Sequence, residues 1–187
     1  VGTAVIYPQA QALKAGGNRV SAVMGGRSRS YVILEEELRR QCDAVYPCTD
    51  DGSYGYHGFV TGKLQELINH ESDPVHAVLT AGPVPMMRAV ADVTREKSIH
   101  TIASLNPIMV DGTGMCGGCR IMVGGRMLFA CVDGPEFDAH QVDFKELADR
   151  LTAYREQERQ LWDALRRPEG EHRCKLEEAA VAVARGG

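Results

Sequence analysis

The chain has 187 residues, with 25 acidic and 21 basic side chains and a net charge of −4. That length allows one good core, or one domain with an appendage. The mild acidity gives no reason to expect nucleic acid or an anionic membrane as partner. No apolar run approaches the ~20 residues of a membrane span, and no signal peptide is present. Cytoplasmic is therefore the default, although Val1 is not an initiator methionine and the true N-terminus may lie upstream.

In chain order, Val1-Gly2-Thr3-Ala4 leads into a helical pattern through about Ala15, with Val5, Ile6, Ala10 and Leu13 as its apolar face. Gly16-Gly17 ends it. Arg19 to Met24 reads as a buried strand closed by Gly25-Gly26. Tyr31 to Cys42 reads as a helix with Ile33, Leu34 and Leu38 inward, and Asp43 to Cys48 as the next strand. Phe59 to Asn69 is helical, with Val60, Leu64, Leu67 and Ile68 inward. Pro74 to Thr80 is a strand, Pro85 to Lys97 a helix, and Ile99 to Ser104 a strand.

This alternation predicts an α/β fold, a doubly wound parallel sheet with helices on both faces. Ligands of such sheets bind at the carboxyl edge of the strands. The candidate edge loops are Gly25 to Ser30, Thr49 to Tyr56 and Ala81 to Met86. Each also has a plainer reading as a turn, because glycine pairs and Gly-Pro are common breaks. The Thr49–Tyr56 loop is long and polar for a mere connection.

After Ser104 the composition changes, and Asn106-Pro107 marks a boundary. Asp111-Gly-Thr-Gly-Met-Cys116-Gly-Gly-Cys119 follows, then Cys131 after eleven residues. Closely spaced thiolates are costly unless a cation shares their charge. Plant-type [2Fe–2S] loops read Cys-x4-Cys-x2-Cys with a distant fourth cysteine. Here the same spacing occurs with aspartate in the first position. A structural zinc site is the rival, since zinc accepts Cys and Asp, but zinc ribbons usually pair two Cys-x2-Cys knuckles and this chain has one. A disulfide is the plainest alternative. Asp111-Gly112 is equally an ordinary turn signal.

Arg120 to Val123 and Met127 to Ala130, around Gly124-Gly125, form a hairpin signal that returns Cys131 towards Cys116 and Cys119. From Asp143 the chain is helical, with Phe144, Leu147, Leu151 and Tyr154 in one stripe extended by Leu161, Trp162 and Leu165. Pro168-Glu169-Gly170 breaks it before an apolar tail from Leu176 to Val183. Amphipathic stripes mostly bury their face locally; the lone Trp162 keeps a partner surface in view. Cys42 and Cys48 read as small buried apolar residues. Cys174 also lies outside the cluster spacing, and the six histidines show no metal spacing.

Val1-Gly2-Thr3-Ala4, Thr49-Asp50-Asp51-Gly52-Ser53-Tyr54-Gly55, Ala81-Gly82-Pro83 and the Asp111–Cys131 loop, in that order, resemble the C-terminal part of ferredoxin-reductase-type flavoproteins. Two groups are similar: the electron-transfer subunit of dihydroorotate dehydrogenase B, and the small subunit of NADH-dependent ferredoxin:NADP+ oxidoreductase (sulfide dehydrogenase-like). The second group matches better, because it also has aspartate in the first ligand position. The resemblance implies that Asp111, Cys116, Cys119 and Cys131 hold a [2Fe–2S] cluster. It implies that Gly2 and Thr3 end a pyrophosphate turn. Gly26, Arg27, Thr49, Asp50, Asp51, Gly52 and Ser53 would line the nucleotide, NAD(H) or NADP(H), and Ala81, Gly82 and Pro83 the nicotinamide.

The implied organisation is an NAD(P)-binding domain over 1–105, a cluster subdomain over 106–142 and a helical tail over 143–187. The implied function is electron transfer between NAD(P)H, FAD in an absent N-terminal domain, the cluster and a larger partner subunit of a heteromeric oxidoreductase. A zinc-stapled interaction module without redox activity is the alternative from another class. The family also places a strand before Gly2, in the middle of the sheet. Its absence here suggests a C-terminal fragment and leaves three expectations for the gap: direct pairing of the flanking strands, filling by another segment or chain, or residues upstream of Val1.

Overall fold

The computed structural model describes residues 2–70 and 74–165. The readings for Pro168–Gly170, Cys174 and the Leu176–Val183 tail lie outside them. The chain divides into two compact units, residues 1–150 and 151–187.

The first unit opens with α1 (Gly2–Ala15), followed by β1 (Ser21–Gly26), α2 (Glu35–Gln41) and β2 (Ala44–Thr49). β3 (Tyr56–His57), α3 (Val60–Ile68), β4 (Ala77–Ala81), α4 (Val84–Arg95) and β5 (His100–Ser104) follow. Strands β1, β2 and β3 pair in parallel, with Ser21 opposite Ala44 and Gly26 opposite Thr49. Strands β4 and β5 also pair in parallel, with Ala81 opposite Ser104. β1 and β2 close a core of Ala22, Met24 and Val45 under Ala10 of α1 and Leu38 of α2. Thr94 and Thr101 are buried polar residues of α4 and β5. Their hydroxyls bond each other at 2.7 Å, and Thr94 also meets His140 Nε2 at 3.0 Å, so neither is left unsatisfied.

The parallel strands fall in two separate sheets, one ordered β1-β2-β3 and the other holding β4 beside β5. Among the described residues β1 and β4 do not pair with each other, and no other strand lies between them. Direct pairing and filling by another described segment of the chain are thus both overturned. The halves are joined instead through helices: α1 packs on β4 and α2, and α3 packs on β1 and α4.

Beyond β5 come the hairpin β6 (Arg120–Val123) and β7 (Arg126–Phe129), a short α5 (Ala130–Asp133), β8 (Glu136–Asp138) and α6 (Phe144–Leu151). The Gly124-Gly125 turn has φ of +57° and +74°, the two left-handed residues a tight hairpin turn needs. Cys131 lies on α5, just past the hairpin. β8 was not legible in the sequence; it pairs antiparallel with β5, Ala103 opposite Phe137.

Three other expectations are corrected. The second helix does not begin at Tyr31. A single 3-10 turn covers Arg29–Tyr31, and Leu34 takes φ +59° before α2 starts, which leaves Ile33 exposed. Val5 of α1 is also exposed. The stripe from Phe144 is broken: α6 buries Phe144 and Leu147 and ends at Leu151, and Tyr154 is exposed. α7 (Arg155–Leu165) lies in the second unit.

Candidate functional site

The cluster loop leaves β5 at its carboxyl end. Leu105 is buried, and its N–H donates to the Pro135 carbonyl, which ties the loop's root to the segment before β8. Asp111 closes the loop on itself. Its Oδ1 accepts the Thr113 N–H at 2.9 Å and its Oδ2 the Cys116 N–H at 2.7 Å. These bonds, Thr113's first, hold its carboxyl below the usual carboxylate range. Gly112, Gly114 and Gly117 all take φ between +67° and +81°, a conformation other residues enter only at a cost.

The three cysteines differ in exposure: Cys119 is buried, Cys131 half-buried and Cys116 exposed. Backbone donors point at two of the sulfurs. The Gly118 N–H lies 3.3 Å from Cys116 Sγ and the Cys131 N–H 3.4 Å from Cys119 Sγ. The Cys131 thiol is raised above its ordinary range, first by the neighbouring Cys119 sulfur. The loop therefore brings Cys119 and Cys131 side by side and ties Asp111 to the backbone of Cys116. It does not gather all of the candidate ligands: among the described residues no three His, Cys, Asp or Glu side chains stand close enough to hold a metal ion. The donor set nonetheless suits an iron–sulfur cluster, with thiols for iron, N–H groups for sulfur and a carboxylate that keeps free lone pairs. Two residues missed in the sequence grip this loop from outside. Arg120 Nη1 donates to the Gly117 carbonyl at 3.1 Å and Arg150 Nη2 to the Gly118 carbonyl at 3.2 Å. Neither has a spacing signature.

Cys48 stands apart in β2, whereas Cys42, at the end of α2, is only half-buried and not the buried residue expected. Burial pushes the Cys48 thiol up to about 11, which makes it an inert core residue.

The remaining candidates gather in two groups at the carboxyl ends of the parallel strands. In one, Thr49 is fully buried at the end of β2, and its hydroxyl accepts the Tyr54 N–H at 3.0 Å and donates to the Tyr54 carbonyl at 2.7 Å. That closes the loop carrying Asp50, Asp51, Gly52 and Ser53. The Asp50 N–H donates to the Gly26 carbonyl, the Asp51 N–H to the Arg27 carbonyl, and Ser53 Oγ accepts the Arg29 N–H at 2.9 Å. The two edge loops are thus clasped. Ser53's hydroxyl and N–H hold the Asp51 carboxyl below its usual range. Arg29 lies 4.9 Å over the Tyr54 ring, and the Tyr54 hydroxyl donates to Glu35 at 2.9 Å. Arg29 lies in the Gly25–Ser30 edge loop expected from the sequence; Glu35 was not a sequence candidate, and only the clasp reveals it.

In the other group, Gly2 is the first residue of α1 and abuts Ala81 and Gly82 at the end of β4. A Cβ on Gly2 would overlap the Ala81 carbonyl oxygen. Thr3 follows in the same first turn, and Pro83 caps α4.

With this geometry in hand, comparison with known proteins is direct. Residues 106–143 match the iron–sulfur cluster binding domain of dihydroorotate dehydrogenase B. The chain is similar to dihydroorotate dehydrogenase B electron-transfer-subunit-like proteins. It is 43% identical, over 91% of its length and 60% of the relative's, to a dihydroorotate dehydrogenase B electron transfer subunit homolog of Thermotoga maritima. It is 44% identical, over 84% of its length and 53% of the relative's, to an uncharacterized protein of Clostridium beijerinckii. It superimposes with a TM-score of 0.79 and 42% identity on a chain of the NADH-dependent reduced ferredoxin–NADP oxidoreductase structure, covering 89% of this chain and 59% of that one. The chain thus spans little more than half the length of these relatives. The fold is the mixed α/β, ferredoxin-reductase-like architecture with an iron–sulfur binding domain appended. Among the described residues no helix is long and apolar enough to cross a membrane.

Proposed function

We propose that this chain is the nicotinamide- and cluster-bearing part of an electron-transfer subunit of an iron–sulfur flavoprotein oxidoreductase. The observation that carries the reading is the 111–131 loop, where backbone N–H groups already point at Cys116 and Cys119 and a carboxylate closes the turn. Asp111, Cys116, Cys119 and Cys131 would hold a [2Fe–2S] cluster, which supplies one-electron transfer when bound. Loading requires the loop to close, bringing Cys116 and Asp111 in against the Cys119–Cys131 pair.

The rest of the relay follows from electron counting. A nicotinamide delivers two electrons as hydride, so a flavin must stand between it and a one-electron centre. In this reading FAD is held outside residues 1–187, and a larger oxidoreductase subunit exchanges electrons with the cluster side. The relatives, called electron transfer subunits, support that assignment. A cytoplasmic setting suits it, because reducing conditions keep the ligand thiols available. None of the residues at this edge needs to act as acid, base or nucleophile.

For the nucleotide the reading is NAD(H). Asp50 and Asp51 are tied through their N–H groups to Gly26 and Arg27, at the carboxyl end of β1. Carboxylates at that place suit a ribose diol and oppose a 2′-phosphate, and Arg29 is engaged with Tyr54. Titrating the whole flavoprotein with NADH and NADPH tests this; tighter NADPH binding, relieved by Arg27→Ala, reverses the choice. The central test is analytical. Visible absorption, matched iron and acid-labile sulfide, and an EPR signal after reduction are expected. A colourless chain with stoichiometric zinc would instead make it a zinc-stapled module.

A further inference from the structure

We propose that Arg120 and Arg150 are positioning residues that orient two of the three peptide planes between Cys116 and Cys119, and so set the reduction potential of the cluster held there. This rests on the iron–sulfur reading above. The peptide unit is planar and trans, so a carbonyl and the N–H that follows it point in opposite directions. The Gly117 carbonyl is drawn outward onto Arg120 Nη1 at 3.1 Å. The Gly118 N–H is thereby turned inward, and it meets Cys116 Sγ at 3.3 Å. The next plane repeats the arrangement. The Gly118 carbonyl is drawn onto Arg150 Nη2 at 3.2 Å, which turns the Cys119 N–H away from that guanidinium.

Both residues between the cysteines are glycines, so neither plane is fixed by its own side chain. An outside hold is what decides whether N–H or C=O faces the sulfurs. The Arg150 hold is itself directed. Its side chain is only 26% exposed, and its Nε lies 3.5 Å from Glu146 Oε1, one turn back on α6. Hydrogen bonds to cluster sulfur and nearby positive charge both favour the reduced state, which carries one more negative charge. The two arginines should differ in weight. The Gly117 carbonyl also accepts Arg120's own backbone N–H at 3.4 Å, a donor that survives loss of the side chain. Arg150 reaches its carbonyl from a separate helix through its side chain alone.

The test uses the full chain loaded with iron and sulfide, with metal content, EPR spectrum and reduction potential measured for Arg150→Met, Arg150→Lys and Arg120→Gln. The expected result for Arg150→Met is full iron and sulfide content, a more negative potential and a changed EPR anisotropy. Arg150→Lys should restore most of the potential but not the spectrum, because an ammonium keeps the charge and loses the fork. Arg120→Gln should shift the potential in the same direction by less. A purely structural role would lower thermal stability without moving potential or spectrum. Parent-like potential and spectrum in loaded Arg150→Met and Arg120→Gln would overturn the proposal. If Arg150→Met fails to load, the decision falls to Arg150→Lys and Arg120→Gln, and parent values in both overturn it. A parent chain that takes up no iron would sink the cluster reading itself, a separate failure visible before any variant is made.

Discussion

Thr49→Val isolates the polar link that holds the nucleotide edge together. Valine keeps the shape of threonine and removes only the hydroxyl. In the parent that hydroxyl holds both the N–H and the C=O of Tyr54, at 3.0 and 2.7 Å. Each bond contributes a net ~0.5–1.5 kcal/mol. Tyr54 is half-buried, so part of the loss is recovered from water, and the cost should be about 1–2 kcal/mol. In a chain of this size that is a fall in Tm of about 2–8 °C. The local signature is sharper: the Tyr54 amide loses its acceptor and should exchange with solvent much faster, with the clasp to Arg29 loosening after it. Thr49→Ser, which keeps the hydroxyl, should keep the Tyr54 amide protected. Thermal unfolding and amide hydrogen exchange read both effects. Parent-like Tm and Tyr54 exchange in Thr49→Val would show that the hydroxyl does not hold the loop.

Three further outcomes follow from the same geometry. Asp111→Cys should keep a cluster with an altered spectrum and potential, since a soft thiolate replaces a hard carboxylate, whereas Cys119→Ala should lose most of its iron; unchanged iron and spectrum in Asp111→Ala would remove Asp111 from the ligand set. Gly2→Ala places a Cβ on the Ala81 carbonyl, so either α1 or the end of β4 must shift, and unfolding in urea should report a loss of about 1–3 kcal/mol. The Asp43 carboxyl is held below its usual range by the Lys14 ammonium and then by the Val20 N–H. Because its folded value is depressed, its contribution is present above the ordinary carboxylate pKa and is lost as pH falls through the folded value. Acid unfolding of Asp43→Asn should therefore be less steep with pH below about 4 than that of the parent.

β1, β2, β4 and β5 were legible from their apolar runs, with boundaries that moved by a residue or a few, whereas β3, two residues in a stretch read as a loop, was not. What failed was local backbone detail. Nothing in Tyr31–Leu34 announces the left-handed Leu34 that delays α2 to Glu35. β8 is three residues long, and Glu136 and Asp138 flanking Phe137 give little apolar signal; it exists because β5 offers an edge. The cysteine loop was legible from spacing, because ligand geometry constrains sequence distance. The link from Tyr54 to Glu35 and the grip of Arg120 and Arg150 were not. A long side chain can reach a distant carbonyl from almost any position, so no spacing is imposed on it.

The split of the sheet is a property of topology that no local run of residues encodes. β1 and β4 each have a side without a strand partner among the described residues, and an unpaired edge is a template for another strand. Buried backbone groups left unpaired cost about 1–3 kcal/mol each. Yet helix packing joins the two halves without a ladder between them. Gly2 makes this possible: lacking a Cβ, it lets the start of α1 touch the Ala81 carbonyl at the end of β4. α1 in turn covers the core shared by β1, β2 and α2 through Ala10. The helix that would present its N-terminus to a pyrophosphate is thus the same element that fastens one half-sheet to the other. Nucleotide binding and the joining of the halves should therefore rise and fall together, while the cluster loop, rooted on β5, Pro135 and Arg150, depends on only one of them.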